Sequence, residues 1–104
     1  MNLREYQELA ARFALPTALN REYLSLGLAG EAGEVASLVA KAVRDSDGNV
    51  NRESLKKELG DVLWFVAVLG SQYNLDMLDI AVGNINKLRS RVARNVIGGS
   101  GDDR

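Results

Sequence analysis

Apolar residues in this chain return at every third or fourth position from Leu3 to Val92, and a single proline, Pro16, interrupts them. That spacing is the period of an α-helix, whereas a half-buried strand would alternate. The sequence therefore predicts an all-α fold of four helical segments, and no stretch requires a strand. Segment one opens at Asn2, a capping side chain with Glu5 three residues on, aligns Leu3, Tyr6, Leu9, Ala10 and Phe13 on one face, and stops before Pro16. Segment two, Asn20 to Arg44, carries the stripe Leu24, Leu28, Glu31, Val35, Leu38 and Ala42, with a carboxylate inside it. Turn residues Asp45 to Asn49 lead to Asn51, a cap for segment three and its stripe Leu55, Leu59, Val62, Val66, Leu69 and Tyr73. Asp76 caps segment four, where Leu75 and Ile80 are placed as a hydrophobic staple and Leu78, Val82, Ile85, Leu88 and Val92 are expected to face inward.

A chain of 104 residues has material for one core. The domain is expected over residues 1–97, with 98–104 a flexible Gly/Ser tail. Val62 to Leu69 is apolar without a break, and a helix apolar all round must be covered on every side. Three other short helices give little cover, so a second copy is expected to supply it, in a homo-oligomer.

Composition then removes whole classes of chemistry. Histidine and cysteine are both absent, which excludes disulfides, thiolate nucleophiles, imidazole or thiolate zinc sites and Ser-His-Asp catalysis. Carboxylates are the metal ligands left. Thirteen basic residues against 14 acidic ones give a net charge of −1, with no overall field to hold a nucleic acid polymer or an anionic membrane. The first ten residues contain Arg4, Glu5 and Glu8 and no apolar signal core, and the longest apolar run is too short to span a bilayer, so a cytoplasmic protein is expected.

Within segment two, Glu31 and Glu34 stand three apart; within segment three, Glu58 and Asp61 do the same, so each pair projects from one helix face. Antiparallel packing would bring four carboxylates to one level, where they coexist around cations or with some protonated. Hard divalent cations such as Mg²⁺ take oxygen ligands of this kind together with substrate phosphates. Gly30, Gly33 and Gly60 each precede one of these acids, although a glycine inside a helix costs about 1 kcal/mol relative to alanine. Close backbone approach, or room for a ligand, is the physical use of a missing Cβ. Segment four supplies the opposite charge: Asn84, Lys87, Arg91 and Arg94 share one polar face, while Arg89 points elsewhere. That stripe reads as an anion site, against the plainer alternative of cations placed near a helix C-terminus. Carboxylates for metal plus a cationic stripe for phosphate is the inventory for metal-assisted attack of water on a polyphosphate.

Gly27-Leu28-Ala29-Gly30-Glu31-Ala32-Gly33-Glu34-Val35, then Lys57-Glu58-Leu59-Gly60-Asp61-Val62-Leu63-Trp64, then Asn84-Ile85-Asn86-Lys87-Leu88 resembles the MazG-like branch of the all-α nucleoside triphosphate pyrophosphohydrolases. The resemblance implies a four-helix bundle-like fold assembled as a dimer or tetramer. It implies Mg²⁺ (or Mn²⁺) on Glu31, Glu34, Glu58 and Asp61, with Asn84 and Lys87 near the phosphates, and hydrolysis of a nucleoside triphosphate to monophosphate and pyrophosphate. Arg91, on the same face, is expected to join the phosphate contacts. Glu34 is the choice for a general base. The ending Gly98 to Arg104 is similar to that of short members of the group, and Asn95 stands where a glycine is expected, a residue that also takes a left-handed conformation. Gln7, Tyr23, Trp64 and Phe65 have the chemistry to meet a base, yet each fits more simply as a core, interface or surface residue. Two rivals stand beside the hydrolase: a non-catalytic oligomerisation or regulatory module that binds nucleotide or protein, and a phosphoribosyl-ATP pyrophosphohydrolase sharing the chemistry.

Overall fold

The computed structural model describes all 104 residues. Four helices, α1 (Leu3–Arg12), α2 (Arg21–Asp45), α3 (Arg52–Gln72) and α4 (Met77–Ala93), are joined by short connections, with one 3₁₀ turn at Pro16–Ala18 and no strand. The helix starts are set by side chains that satisfy orphan backbone donors. Asn2 accepts from Glu5 N at 2.9 Å, Asn20 from Tyr23 N at 2.9 Å, Asn51 from Ser54 N at 3.0 Å and Asp76 from Leu78 N at 2.7 Å. Two helix ends use asparagine in the left-handed region, Asn74 at φ 56° and Asn95 at φ 59°. Each is closed by a six-to-one bond, Leu75 N to Gly70 O and Val96 N to Arg91 O, both 2.8 Å.

Helices α2 and α3 form the principal pair, running antiparallel with Leu24 and Val68 fully buried between them. Gly27 permits the approach: a Cβ there would collide with the Phe65 ring. Ala10 from α1, Ala67 from α3 and Met77 from α4 complete the core. Trp64 packs edge-on against Phe65, its ring centre 5.0 Å away, and its indole N–H donates to Ala10 O at 3.1 Å. Gln7 is buried as a polar bridge, donating to Ala67 O at 3.1 Å and Leu75 O at 2.9 Å.

Two expectations need correction. Val82, Ile85, Leu88 and Val92 do not face inward: all four are exposed, because α4 touches α1 and α3 only lightly and departs from the bundle. Conversely, the run Val62 to Leu69 is largely covered within the chain by α1 and α2, and Leu63 alone of the eight is exposed. The need for cover therefore lies on α4. Only nine residues are buried, and the radius of gyration is 16.3 Å, against about 13 Å for a compact domain of this length. No helix is long and apolar enough to cross a membrane.

Residues 98–104, which composition reads as a flexible tail, fold back along α4. The Arg104 guanidinium donates to the carbonyls of Val96 (3.2 Å), Ile97 (3.1 Å), Gly98 (2.8 Å) and Gly101, while Arg94 donates to the Arg104 main-chain oxygen at 2.6 Å. Gly99 and Gly101, at φ 87° and 89°, make the bends.

Candidate metal centre

One turn beyond the Gly27–Phe65 contact, the antiparallel pairing brings acids face to face. Carboxylate oxygens of Glu31 on α2 and of Glu58 and Asp61 on α3 all lie within 4.8 Å of one another. Glu34, one turn along α2 on the exposed side, stands outside this trio. Glu31 and Glu58 are half-buried and Asp61 is exposed. The crowding shows in the titration of Glu31: partial burial first, then the charges of Asp61, Glu58 and Glu34 and a hydrogen bond with Glu58, hold it above the ordinary carboxylate range. Tyr6 of α1 faces the same cluster, its phenol raised by burial and by the Asp61 charge. The sequence reads Tyr6 as one residue of an apolar stripe, and nothing in that spacing signals its place beside the acids.

Gly30, Gly33 and Gly60 are not sites of close helix approach; a Cβ at any of them would meet nothing within 4 Å. The backbone beside the acids is thus open, and the principal surface hollows lie elsewhere. One of 480 Å³ runs along α4 beside Ile85, Leu88, Arg89, Val92 and Ala93.

The cationic stripe of α4 is engaged elsewhere in the chain. Lys87 and Arg91 hold Asp102, Arg94 holds the end of the tail, and Asn84 is exposed. None of these residues forms an ion pair or hydrogen bond with Glu31, Glu58 or Asp61. Of the residues considered for base contact, Gln7 and Trp64 are committed to backbone carbonyls, Phe65 packs on Gly27, and Tyr23 is half-exposed with its ring 6.4 Å from that of Phe65.

A family model, the MazG nucleotide pyrophosphohydrolase domain, matches residues 19–95, which include all three converging acids. The chain belongs to this family. The chain is similar to a curated protein, "Gene 37 protein" of Mycobacterium phage L5, 49% identical over 85 residues that cover 79% of this chain and 75% of that protein. No solved structure matches the chain. Helix α1, with Tyr6 and Gln7, and the returning tail both fall outside the residues matched to the MazG domain.

Proposed function

We propose that the protein is a divalent-cation-dependent hydrolase that converts a nucleoside triphosphate, ordinary or aberrant, to nucleoside monophosphate and pyrophosphate in the cytoplasm. What carries this reading is the convergence of Glu31, Glu58 and Asp61 inside the family-matched region. The donor set suits Mg²⁺ or Mn²⁺: three hard carboxylates, closely spaced, with the Glu31 carboxyl raised by burial and by the charges of its neighbours. A bound cation would supply charge neutralisation at the phosphates.

The chain's own residues divide the remaining work. Glu34, adjacent to the trio and free of it, is assigned as the base that takes a proton from water attacking the α-phosphorus. Attack there breaks the α–β anhydride bond and expels pyrophosphate. Lys87 and Arg91, with Asn84, are assigned to the phosphates, where fixed positive charge stabilises the leaving group. A second copy, in a dimer or tetramer, is proposed to cover the apolar face of α4.

A panel of ordinary and modified nucleoside triphosphates with Mg²⁺, scored for pyrophosphate in ¹⁸O-labelled water, tests the reading. Label should enter the nucleoside monophosphate and leave pyrophosphate unlabelled. Release of orthophosphate, or labelled pyrophosphate, would place attack at another phosphorus, and binding without product would favour a regulatory module.

A further inference from the structure

Lys87 and Arg91 lie one turn apart on α4 and turn onto a single carboxylate. Lys87 Nζ is 2.8 Å from Asp102 Oδ1, and Arg91 Nη2 is 3.1 Å from the same oxygen. Arg91 Nη2 also donates to the Asp102 main-chain oxygen at 2.6 Å. The two cations hold the Asp102 carboxyl below the ordinary aspartate range, Lys87 contributing more.

The partners are unequally committed. Arg91 is 5% exposed, and its Nε is buried without a hydrogen-bond partner. A guanidinium offers a planar fork of donors suited to two oxygens of one anion, and here a carbonyl and one carboxylate oxygen share a single nitrogen. The Asp102 side chain is 79% exposed and sits on a segment whose other ties are the Arg104 guanidinium on the carbonyls of Val96, Ile97, Gly98 and Gly101 and the Arg94 bond to the Arg104 main-chain oxygen. The Lys87–Asp102 pair, with both side chains open to solvent, is weak, whereas a phosphate group brings more charge and more acceptor oxygens to the same two cations.

We infer that Lys87 and Arg91 form an exchangeable oxyanion site, which Asp102 fills in the free protein and from which a phosphate group of the nucleotide displaces it, releasing the tail. The inference rests on the assignment of these cations to phosphate. It adds that the substrate reaches Arg91 only by lifting residues 98–104, which then act as a tethered competitor whose effective concentration is set by the short connection to α4.

The test uses inorganic tripolyphosphate, without metal, on the full chain. Asp102→Asn should bind it about threefold more tightly than the wild type, the scale of an exposed ion pair. Asp103→Asn makes the same charge change one residue along without a bond to Lys87 or Arg91, and should bind as the wild type does. Adding Lys87→Ala to Asp102→Asn should remove the gain. In the wild type, saturating tripolyphosphate should free residues 99–103 from α4, read as a fall in their amide heteronuclear NOE. Unchanged or weaker binding by Asp102→Asn, an equal gain from Asp103→Asn, or a tail whose NOE values stay as in the free protein at saturation would each overturn the site. A protein that releases the tail but hydrolyses no triphosphate upholds the site and overturns the hydrolase. Turnover with the tail still held does the reverse.

Discussion

The side-chain carbonyl of Gln7, midway along α1, accepts the backbone N–H of Met77, the first residue of α4, at 2.8 Å. The same amide donates to Ala67 O and Leu75 O, so one buried side chain fastens three segments to one another. Gln7→Glu keeps the size and removes the donor. Leu75 O would lose its side-chain donor and Ala67 O would keep only that of Ser71, both beside a new negative charge, for a loss of about 2 kcal/mol in chemical denaturation. Stability equal to the wild type would show that the bridge contributes nothing.

The separation of Glu34 from the trio predicts two classes of variant. Glu31→Gln, Glu58→Gln and Asp61→Asn should each weaken Mg²⁺ binding, measured by the thermal shift the cation produces. Glu34→Gln should keep that shift and lose about a hundredfold in kcat, the lower end of what a general base contributes. A Glu34→Gln protein that neither binds Mg²⁺ nor melts higher with it would make Glu34 a ligand.

The raised Glu31 carboxyl fixes the sign of a pH effect. In the unfolded chain Glu31 loses its proton at the ordinary value; in the fold it keeps the proton to a higher pH. Stability is therefore greatest below the ordinary value and falls as pH rises through the raised one. Metal-free wild type should lose melting temperature relative to Glu31→Gln as pH rises above the ordinary carboxylate range, and Mg²⁺ should restore it. Parallel pH profiles for the two proteins would remove the coupling.

Local chemistry explains what was legible from sequence. Asn2, Asn20, Asn51 and Asp76 cap within four residues of themselves, and helical spacing put Glu31 on the same face as Leu24 and Ala42 in α2. The bundle partner of each face was not so readable. An amphipathic stripe states which side requires cover and not what supplies it, hence the misplacement of Val82, Ile85 and Val92 inside the protomer. The Arg104 contacts were hidden for another reason: Gly98 to Gly101 suggests flexibility by composition, while carbonyls turned inward by Gly99 and Gly101 give a guanidinium its acceptors.

The exposed apolar face of α4 predicts the state of assembly. Light scattering should report a dimer or tetramer at micromolar concentration, and Ile85→Asp should shift it toward monomer by putting a charge at the middle of that face. A monomeric wild type, or an Ile85→Asp protein assembled like it, would leave α4 without the proposed cover.

Gly27 precedes Glu31 by one turn of α2, and Phe65 follows Asp61 by one turn of α3, so the tight contact and the facing acids are successive rungs of one ladder. A methyl group at position 27 must displace the Phe65 ring, and where the helices part to make that room the next rung widens with them. Mg²⁺ takes oxygens at about 2.0–2.1 Å and Ca²⁺ at about 2.3–2.6 Å. Gly27→Ala should thus lower the affinity for Mg²⁺ relative to Ca²⁺ by calorimetry, and an unaltered ratio in a folded variant would sever the two rungs. Should the ratio fall, the helix pair would be a caliper whose opening is set by a lone hydrogen atom, and any preference for ion size would be inherited at a position that touches no ion, open to drift with every acid intact.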